Sequence, residues 1–229
     1  MSDIVIKAAG WLGPEGFGND LAGLANWPAP LGEALRRGEL EELRWSELFD
    51  SEAERFARMD WLSRLGLMAV ELLDARFETW DAQDREQTGI CVETATGCLT
   101  SDAEFLRLPR PTVFTYTLPS TVIGEICIRH RFKGPMLCLM SSGKSTRATI
   151  DEAAGWLREG SAKACLCVSC EAVSPDVAAL LPPDLALENK WQACALLLGR
   201  KSGAPRQHAL GKGTLTETCR HLCRAARRC

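Results

Sequence analysis

The sequence lacks an excess of basic residues. Its 27 lysine and arginine residues stand against 30 aspartate and glutamate residues, which gives a formal net charge of −3. Proteins that bind nucleic acid concentrate positive charge to neutralise phosphates, and this chain shows no such overall bias. We therefore expect no nucleic acid among its partners.

Long apolar runs are missing as well. The chain has no run of about 18 or more consecutive apolar residues, the length at which a membrane-spanning helix becomes a candidate. Its first residues do not combine a positively charged segment with an apolar run, as a secretory signal would. These absences predict a cytoplasmic protein that does not interact with a membrane.

Cysteine, in contrast, is abundant, with 11 residues. Because most of them lie in apolar runs of a chain without a secretory signal, we expect reduced thiols rather than a disulfide framework. On a strand, Cys165 and Cys167 would face one side and Cys170 the other, which favours packing over metal binding. Cys219 and Cys223 flank His221 on a predicted helix, and we expect no metal site there either.

The order of apolar segments predicts an α/β fold with a mixed, five-stranded sheet flanked by helices. The five predicted strands are residues 4–9, 89–93, 136–140, 164–170 and 191–198. Helical periodicity occupies residues 31–42, 56–77 and 150–159, and Ser101 begins a capping box that predicts a further helix start. The glycine-rich residues 10–19 and residues 201–212 are predicted loops. We divide the chain into a domain at 1–200 and a loop with a basic amphipathic helix at 201–229.

The strand at 136–140 leads into the turn Ser141-Ser142-Gly143-Lys144-Ser145, which resembles part of a phosphate-binding loop. That motif requires a second glycine five residues before Gly143, where the chain has Cys138. Nucleotide binding is therefore disfavoured against a polar turn that caps the following helix through Ser141 or Ser142.

Several short motifs carry a resemblance to a known family. In chain order they are Arg-Met-Asp at 58–60, Gly-Ile-Cys-Val at 89–92, Thr-Leu-Pro-Ser at 117–120, Gly-Glu-Ile at 124–126, Gly-Pro at 134–135 and Glu-Ala at 171–172. Together they resemble the N-terminal half of beta-ketoacyl synthases of the thiolase superfamily. The resemblance implies half of a thiolase-like fold.

The resemblance also implies that the nucleophile is absent. Counted from Gly134-Pro135, the synthase cysteine falls at Gly143, which has no side chain to acylate. The family's catalytic histidines belong to the C-terminal half of that fold, so we interpret His130 as a surface or interface residue. We expect no catalytic residue, cofactor or metal. The alternative is a stand-alone acyltransferase or hydrolase that uses Ser141, Ser142 or Cys138 with a positioned base.

The resemblance further implies a partner. A half-fold is expected to leave an apolar face uncovered, and such faces usually mark interaction surfaces. We expect a non-catalytic subunit, similar to a shortened chain length factor, that pairs with an active ketosynthase and meets an acyl carrier protein only indirectly. The residues expected at the dimer contact or acyl tunnel are Phe114, Tyr116, Thr117, Leu118, Met136, Leu137, Cys138, Leu139 and Met140.

Overall fold

A computed structural model describes residues 3–49, 55–73, 77–141, 147–182, 185, 187, 190–202 and 207–226. These residues form one eight-stranded mixed sheet with helices on both faces. The strands are β1 Ile4–Gly13, β2 Gly16–Asn19, β3 Gly23–Ala25, β4 Thr88–Thr94, β5 Met136–Met140, β6 Ala164–Ala172, β7 Trp191–Arg200 and β8 His208–Ala209. The predicted α/β class and mixed sheet are confirmed, whereas the predicted number of five strands is wrong.

The described helices vary from single turns to three turns. They are α1 Ala29–Arg37, α2 Trp61–Glu71, α3 Ala82–Glu86, α4 Leu99–Arg107, α5 Pro111–Phe114, α6 Thr121–His130, α7 Ala148–Glu159, α8 Pro175–Ala178 and α9 Leu215–Ala226, with 3-10 turns at Leu40–Glu42, Trp45–Glu47 and Phe56–Arg58. None of them has the length and apolar character that a membrane crossing requires.

The strand order is β3-β2-β1-β7-β6-β4-β5, and β8 pairs with β1. Strand β4 runs parallel to both β5 and β6, while β6–β7 and β7–β1 are antiparallel pairs. Strand β5 is therefore an edge strand, with β4 as its one neighbour among the described residues.

Two of the three additional strands lie in segments that the sequence predicts as loops, and β3 lies in a segment for which no element is predicted. Strand β2 falls within the glycine-rich residues 10–19, which were predicted as a loop. The glycines instead allow β2 to approach β3 closely. A Cβ atom on Gly16 would lie 2.2 Å from the carbonyl oxygen of Ala25, on β3. Strand β8 falls within residues 201–212, of which 203–206 lie outside the described residues.

The sheet has an apolar layer on each face. Helices α2 and α6 cover one layer, to which β6 contributes Leu166, Val168 and Cys170. Helices α7 and α9 cover the other layer, to which β6 contributes Cys165 and Cys167, so the predicted alternation of these cysteines is confirmed. Helices of the chain lie on both faces of the central strands, so among the described residues these strands leave no large apolar face uncovered, whereas Met136 and Met140 of β5 are exposed.

Three local predictions are wrong. The helix predicted from residue 56 begins at Trp61, where the Asp60 side chain accepts a hydrogen bond from Ser63 N at 3.0 Å and caps α2. Ser101 does not begin a helix, because α4 begins at Leu99 and the Ser101 hydroxyl donates to Asp60 at 3.2 Å instead. His130 is buried, not on the surface.

Candidate functional site

The candidate site lies at the carboxyl ends of the parallel strands β4, β5 and β6, where open α/β sheets commonly place their ligands. Residues Thr94–Gly97 turn away from β4, and Ser141, directly after β5, donates its backbone N–H to the carbonyl of Thr94 at 2.9 Å. Ser142 and Gly143, the next residues of the predicted turn, lie outside the described residues. The described part of the site consists of the carboxyl ends of the three strands and the turn that follows β4.

The carboxylate of Glu171, near the end of β6, organises the turn after β4. It accepts hydrogen bonds from the hydroxyl of Thr96 at 2.6 Å, from Thr96 N at 3.1 Å, from the hydroxyl of Thr94 at 3.2 Å and from Ala95 N. Burial raises the pKa of Glu171 above its ordinary value, although these hydrogen bonds act in the opposite direction. All of the contacts are internal to the protein, so Glu171 holds backbone rather than presenting a free acid.

Gly97 brings the same turn against the end of β5. It has a positive φ of 54°, and a Cβ atom there would lie 3.2 Å from Cε of Met140 and 3.1 Å from Cγ of Pro119. A side chain at this position would push Met140 away. The turn, the last residue of β5 and the loop before α6 therefore form one continuous surface.

A second buried carboxylate, Glu93, lies near the first turn of α7. Its Oε2 atom is 3.4 Å from the hydroxyl of Thr149, which is also fully buried. Because Glu93 precedes the end of β4 and Thr149 follows the segment 142–146, the pair ties β4 to the beginning of α7. This hydrogen bond is internal to the protein, like those of Glu171.

The candidate nucleophiles do not meet a base among the described residues. Cys138 is half-buried against the core below α6, and burial raises the pKa of its thiol. The protein has three histidines. His130 lies against Glu71, His208 lies 3.4 Å from Asp20, and His221 is on the exposed side of α9. Neither Cys138 nor Ser141 therefore has an imidazole that could activate it.

The described cysteines behave as buried packing groups. They are free thiols, and no group of three or more metal-ligating side chains forms in the part of the chain that is described. Burial raises the pKa of Cys98 and Cys165 to about 12. In α9, Cys219 and Cys223 both point into the core while His221 is exposed, so the three do not converge.

The residues predicted to line a contact or tunnel differ in exposure. Phe114, Leu118 and Met140 expose 61%, 63% and 61% of their surface, and Met136 exposes 48%. Thr117, Leu137, Cys138 and Leu139 are half-buried, whereas Tyr116 is buried. The Tyr116 hydroxyl donates to Glu125 Oε1 at 2.9 Å, and Arg55 lies 3.0 Å from the same oxygen.

Exposed apolar side chains are concentrated in one part of the chain, residues 99–140, which ends with β5. Of the ten large hydrophobic residues that are exposed in the described structure, eight lie between residues 99 and 140. We call these eight residues the edge surface: Leu99, Leu106, Leu108, Phe114, Leu118, Ile128, Met136 and Met140. Phe114 contacts the ring of Phe105 on α4, and Met136 contacts Cys127 on α6.

Sequence reasoning identified half of the edge surface and missed its other half. Leu99, Leu106, Leu108 and Ile128 lie on or beside helices that look amphipathic, so their exposure could not be read from periodicity alone. It also missed Glu171 as the residue that fixes the turn after β4. The available signals were its position directly after the predicted apolar strand 164–170 and its place in the Glu-Ala motif at 171–172.

Comparison with known proteins gives a consistent picture. The sequence model of the family described as "Beta-ketoacyl synthase, N-terminal domain" matches residues 35–195. No curated protein sequence matches the chain. The similar solved structures include the ishigamide ketosynthase/chain length factor, with 20% identity and a TM-score of 0.64 over 89% of this chain and 63% of that one.

Two further structures are similar. One is a ketosynthase in complex with its chain length factor from Xenorhabdus doucetiae, with 14% identity and a TM-score of 0.60, over 97% of this chain and 92% of that chain. The other is a type II PKS acyl-carrier protein in complex with its ketosynthase, with 18% identity, a TM-score of 0.56, and coverage of 86% and 62%. The chain thus spans less than two thirds of the first and third of these chains. At such identities the likeness establishes a thiolase-like fold.

Proposed function

Since the chain belongs to the beta-ketoacyl synthase N-terminal domain family, we propose that it is a non-catalytic ketosynthase-like subunit. Similar to a shortened chain length factor, it pairs with an active ketosynthase in type II polyketide or fatty-acid-like synthesis and meets the acyl carrier protein only through that partner. The observation that carries this proposal is the edge surface, with the apolar edge strand β5 at its centre.

The edge strand supports pairing with another chain. Strand β5 reads Met-Leu-Cys-Leu-Met and contains no proline and no charged residue, which natural edge strands commonly use to block pairing with another chain. A strand from a partner would satisfy its unpaired backbone groups and bury Met136 and Met140. Backbone pairing at an exposed edge is a common mode of recognition.

Apolar burial alone would not hold the pair together. Full burial of a large apolar side chain contributes about 1.5–3 kcal/mol. The four exposed side chains of the predicted contact are already partly buried, so each would supply roughly 1 kcal/mol. They are Phe114, Leu118, Met136 and Met140. Association costs at least about 4 kcal/mol in lost freedom of motion. The partner must therefore also pair with β5 or cover the rest of the edge surface, including Leu106 and Leu108.

The lack of a nucleophile supports a non-catalytic role. Gly143 occupies the position at which the family resemblance expects cysteine. The nearest thiol, Cys138, is half-buried with a raised pKa, whereas a catalytic cysteine needs a lowered one. The rival function, acyl transfer or hydrolysis through Ser141, Ser142 or Cys138, would need a base that comes from elsewhere.

Co-expression with an active ketosynthase from the same gene cluster, followed by reaction with an electrophilic acyl probe, tests the proposal. We expect the two chains to co-purify and the probe to label only the ketosynthase. Met140→Lys should abolish co-purification, while Leu180→Lys, at a still more exposed position outside the edge surface, should not. A probe adduct on this chain in the absence of the ketosynthase would support the rival enzyme instead.

A further inference from the structure

A basic groove lies at the opposite end of the parallel strands from the candidate site. It has a volume of about 780 Å³ and is formed by α3 and by residues 127–133, which end α6 and lead to β5. These two segments directly precede β4 and β5, so the groove lies at the amino ends of the strands. It is therefore separate from the turn after β5.

Positive charge predominates in this groove, although the protein as a whole is acidic. Arg85, Arg129, Arg131 and Lys133 line it, against one acidic side chain, Glu86. Even when Glu71, which pairs with Arg129, is added to the acidic side, the described residues of the groove keep an excess of two positive charges.

The arrangement of these cations suits several carboxylates spaced along a chain better than one small anion. Arg85 donates to the carbonyls of His130 at 3.2 Å and Phe77 at 3.0 Å. Lys133 lies 2.6 Å from Glu86, and Arg129 lies 2.9 Å from Glu71. Each of these three cations is therefore held by a different partner within the protein, whereas a phosphate site gathers several donors around one anion.

Arg131 stands apart from the other three. It has φ 61° and ψ 35°, and among the described residues it is the one non-glycine residue with a positive φ. Glycine is favoured at this position after a helix, because the Cβ atom of any other residue makes the left-handed conformation unfavourable. The left-handed conformation ends α6 at Arg131, and it places a basic residue rather than glycine at the rim of the groove.

We propose that this groove binds an acidic segment of a partner protein. The carboxylates of the segment would meet Arg131, Arg85 and Lys133, and an apolar side chain of the segment would contact Ile128, which is 57% exposed beside the groove. The groove and the edge surface share Ile128, but the binding of the acidic segment does not depend on ketosynthase pairing.

Fluorescence anisotropy at low ionic strength tests the proposal without any ketosynthase. The probe is a fluorescein-labelled amphipathic peptide with glutamate and leucine at helical spacing, compared with the same peptide carrying lysine in place of glutamate. We expect the acidic peptide to bind and the basic one not to bind. Arg131→Glu should weaken binding by about tenfold or more, and Arg131→Gly should weaken it while raising the Tm, because glycine relieves the backbone strain.

Arg158→Glu is the matched control, since Arg158 is an exposed arginine at the end of another helix, α7. It should leave the affinity within about twofold of the wild type. Equal loss with Arg158→Glu and Arg131→Glu would overturn the proposal, because the binding would then reflect net charge alone. Displacement of the peptide by micromolar pyrophosphate would also overturn it, in favour of a small-anion site.

Discussion

Glu71 and His130 form a buried pair that joins the ends of two helices, with Oε1 of Glu71 3.1 Å from Nε2 of His130. The same carboxylate oxygen lies 2.9 Å from Nε of Arg129. The imidazole stacks on Phe132, with ring centres 5.2 Å apart, and meets the edge of Phe77. The pair fixes the end of α6 against α2, so the segment that leads into β5 leaves the helix at a defined place.

Acid should weaken the fold through Glu71. Burial alone would raise its pKa, but the hydrogen bonds and charges of His130 and Arg129 prevail and hold the pKa below its ordinary value. A carboxyl group whose pKa is depressed by folding stabilises the protein above its unfolded pKa, and this stabilisation is lost as the pH falls through the folded value. We expect the free energy of unfolding to fall below about pH 4.3, and to fall less in Glu71→Gln.

Urea unfolding at several pH values between neutral and acidic checks this expectation. Glu152→Gln, at an exposed position on α7, is the control and should keep the acid sensitivity of the wild type. Equal acid sensitivity of Glu71→Gln and the wild type would show that the pair does not contribute.

Glu171→Gln should destabilise the protein by about 2 kcal/mol, because the amide group replaces one acceptor oxygen with a donor that faces the buried N–H and O–H groups of Thr96 and Thr94. Thermal and urea unfolding measure the loss. The exposed Glu152→Gln should remain within about 0.5 kcal/mol of the wild type. A loss of similar size in both variants would contradict the role of Glu171 in holding the turn.

Two glycines close to each other in sequence should respond to alanine in opposite directions. At Gly134 a Cβ atom would lie 2.5 Å from both the carbonyl carbon and the oxygen of Thr88, so Gly134→Ala should cost about 1–3 kcal/mol. At Gly124, within α6, a Cβ atom would meet nothing within 4 Å, and Gly124→Ala should stabilise the protein by up to about 1 kcal/mol. Urea unfolding of the two variants measures both changes. An unchanged stability of Gly134→Ala would contradict the close approach of Gly134 to Thr88 at the beginning of β4.

The half-buried thiols should react slowly with iodoacetamide at pH 8. Burial raises the pKa of Cys127 to about 11 and also raises that of Cys138, so only about one thiol in a thousand would be ionised at Cys127. Intact-mass spectrometry over time follows the reaction, with urea-unfolded protein as the reactive reference. Rapid labelling of Cys138 in the folded protein would indicate an activated thiolate and favour the rival enzyme function.

The central strands were predictable because they are continuous apolar runs bounded by turn residues. Residues 136–140 were predicted with the observed bounds. The observed strands β4 and β6 are each two residues longer than the predicted ones. Strands β2 and β3 were not predictable, since their glycines signal a loop unless the close contact with a neighbouring strand is known. The burial of His130 depends on Glu71, which lies far away in sequence, and the hold of Glu171 on Thr96 spans 75 residues. No local sequence pattern predicts contacts between residues so far apart in the chain.

Light scattering during size-exclusion chromatography of this chain mixed with an active ketosynthase from the same gene cluster tests the central claim most directly. The account predicts a stable complex with the mass of one copy of each chain, which dissociates when Met140→Lys replaces the wild type and persists with Leu180→Lys. Separate elution of the two proteins at micromolar concentrations would contradict it.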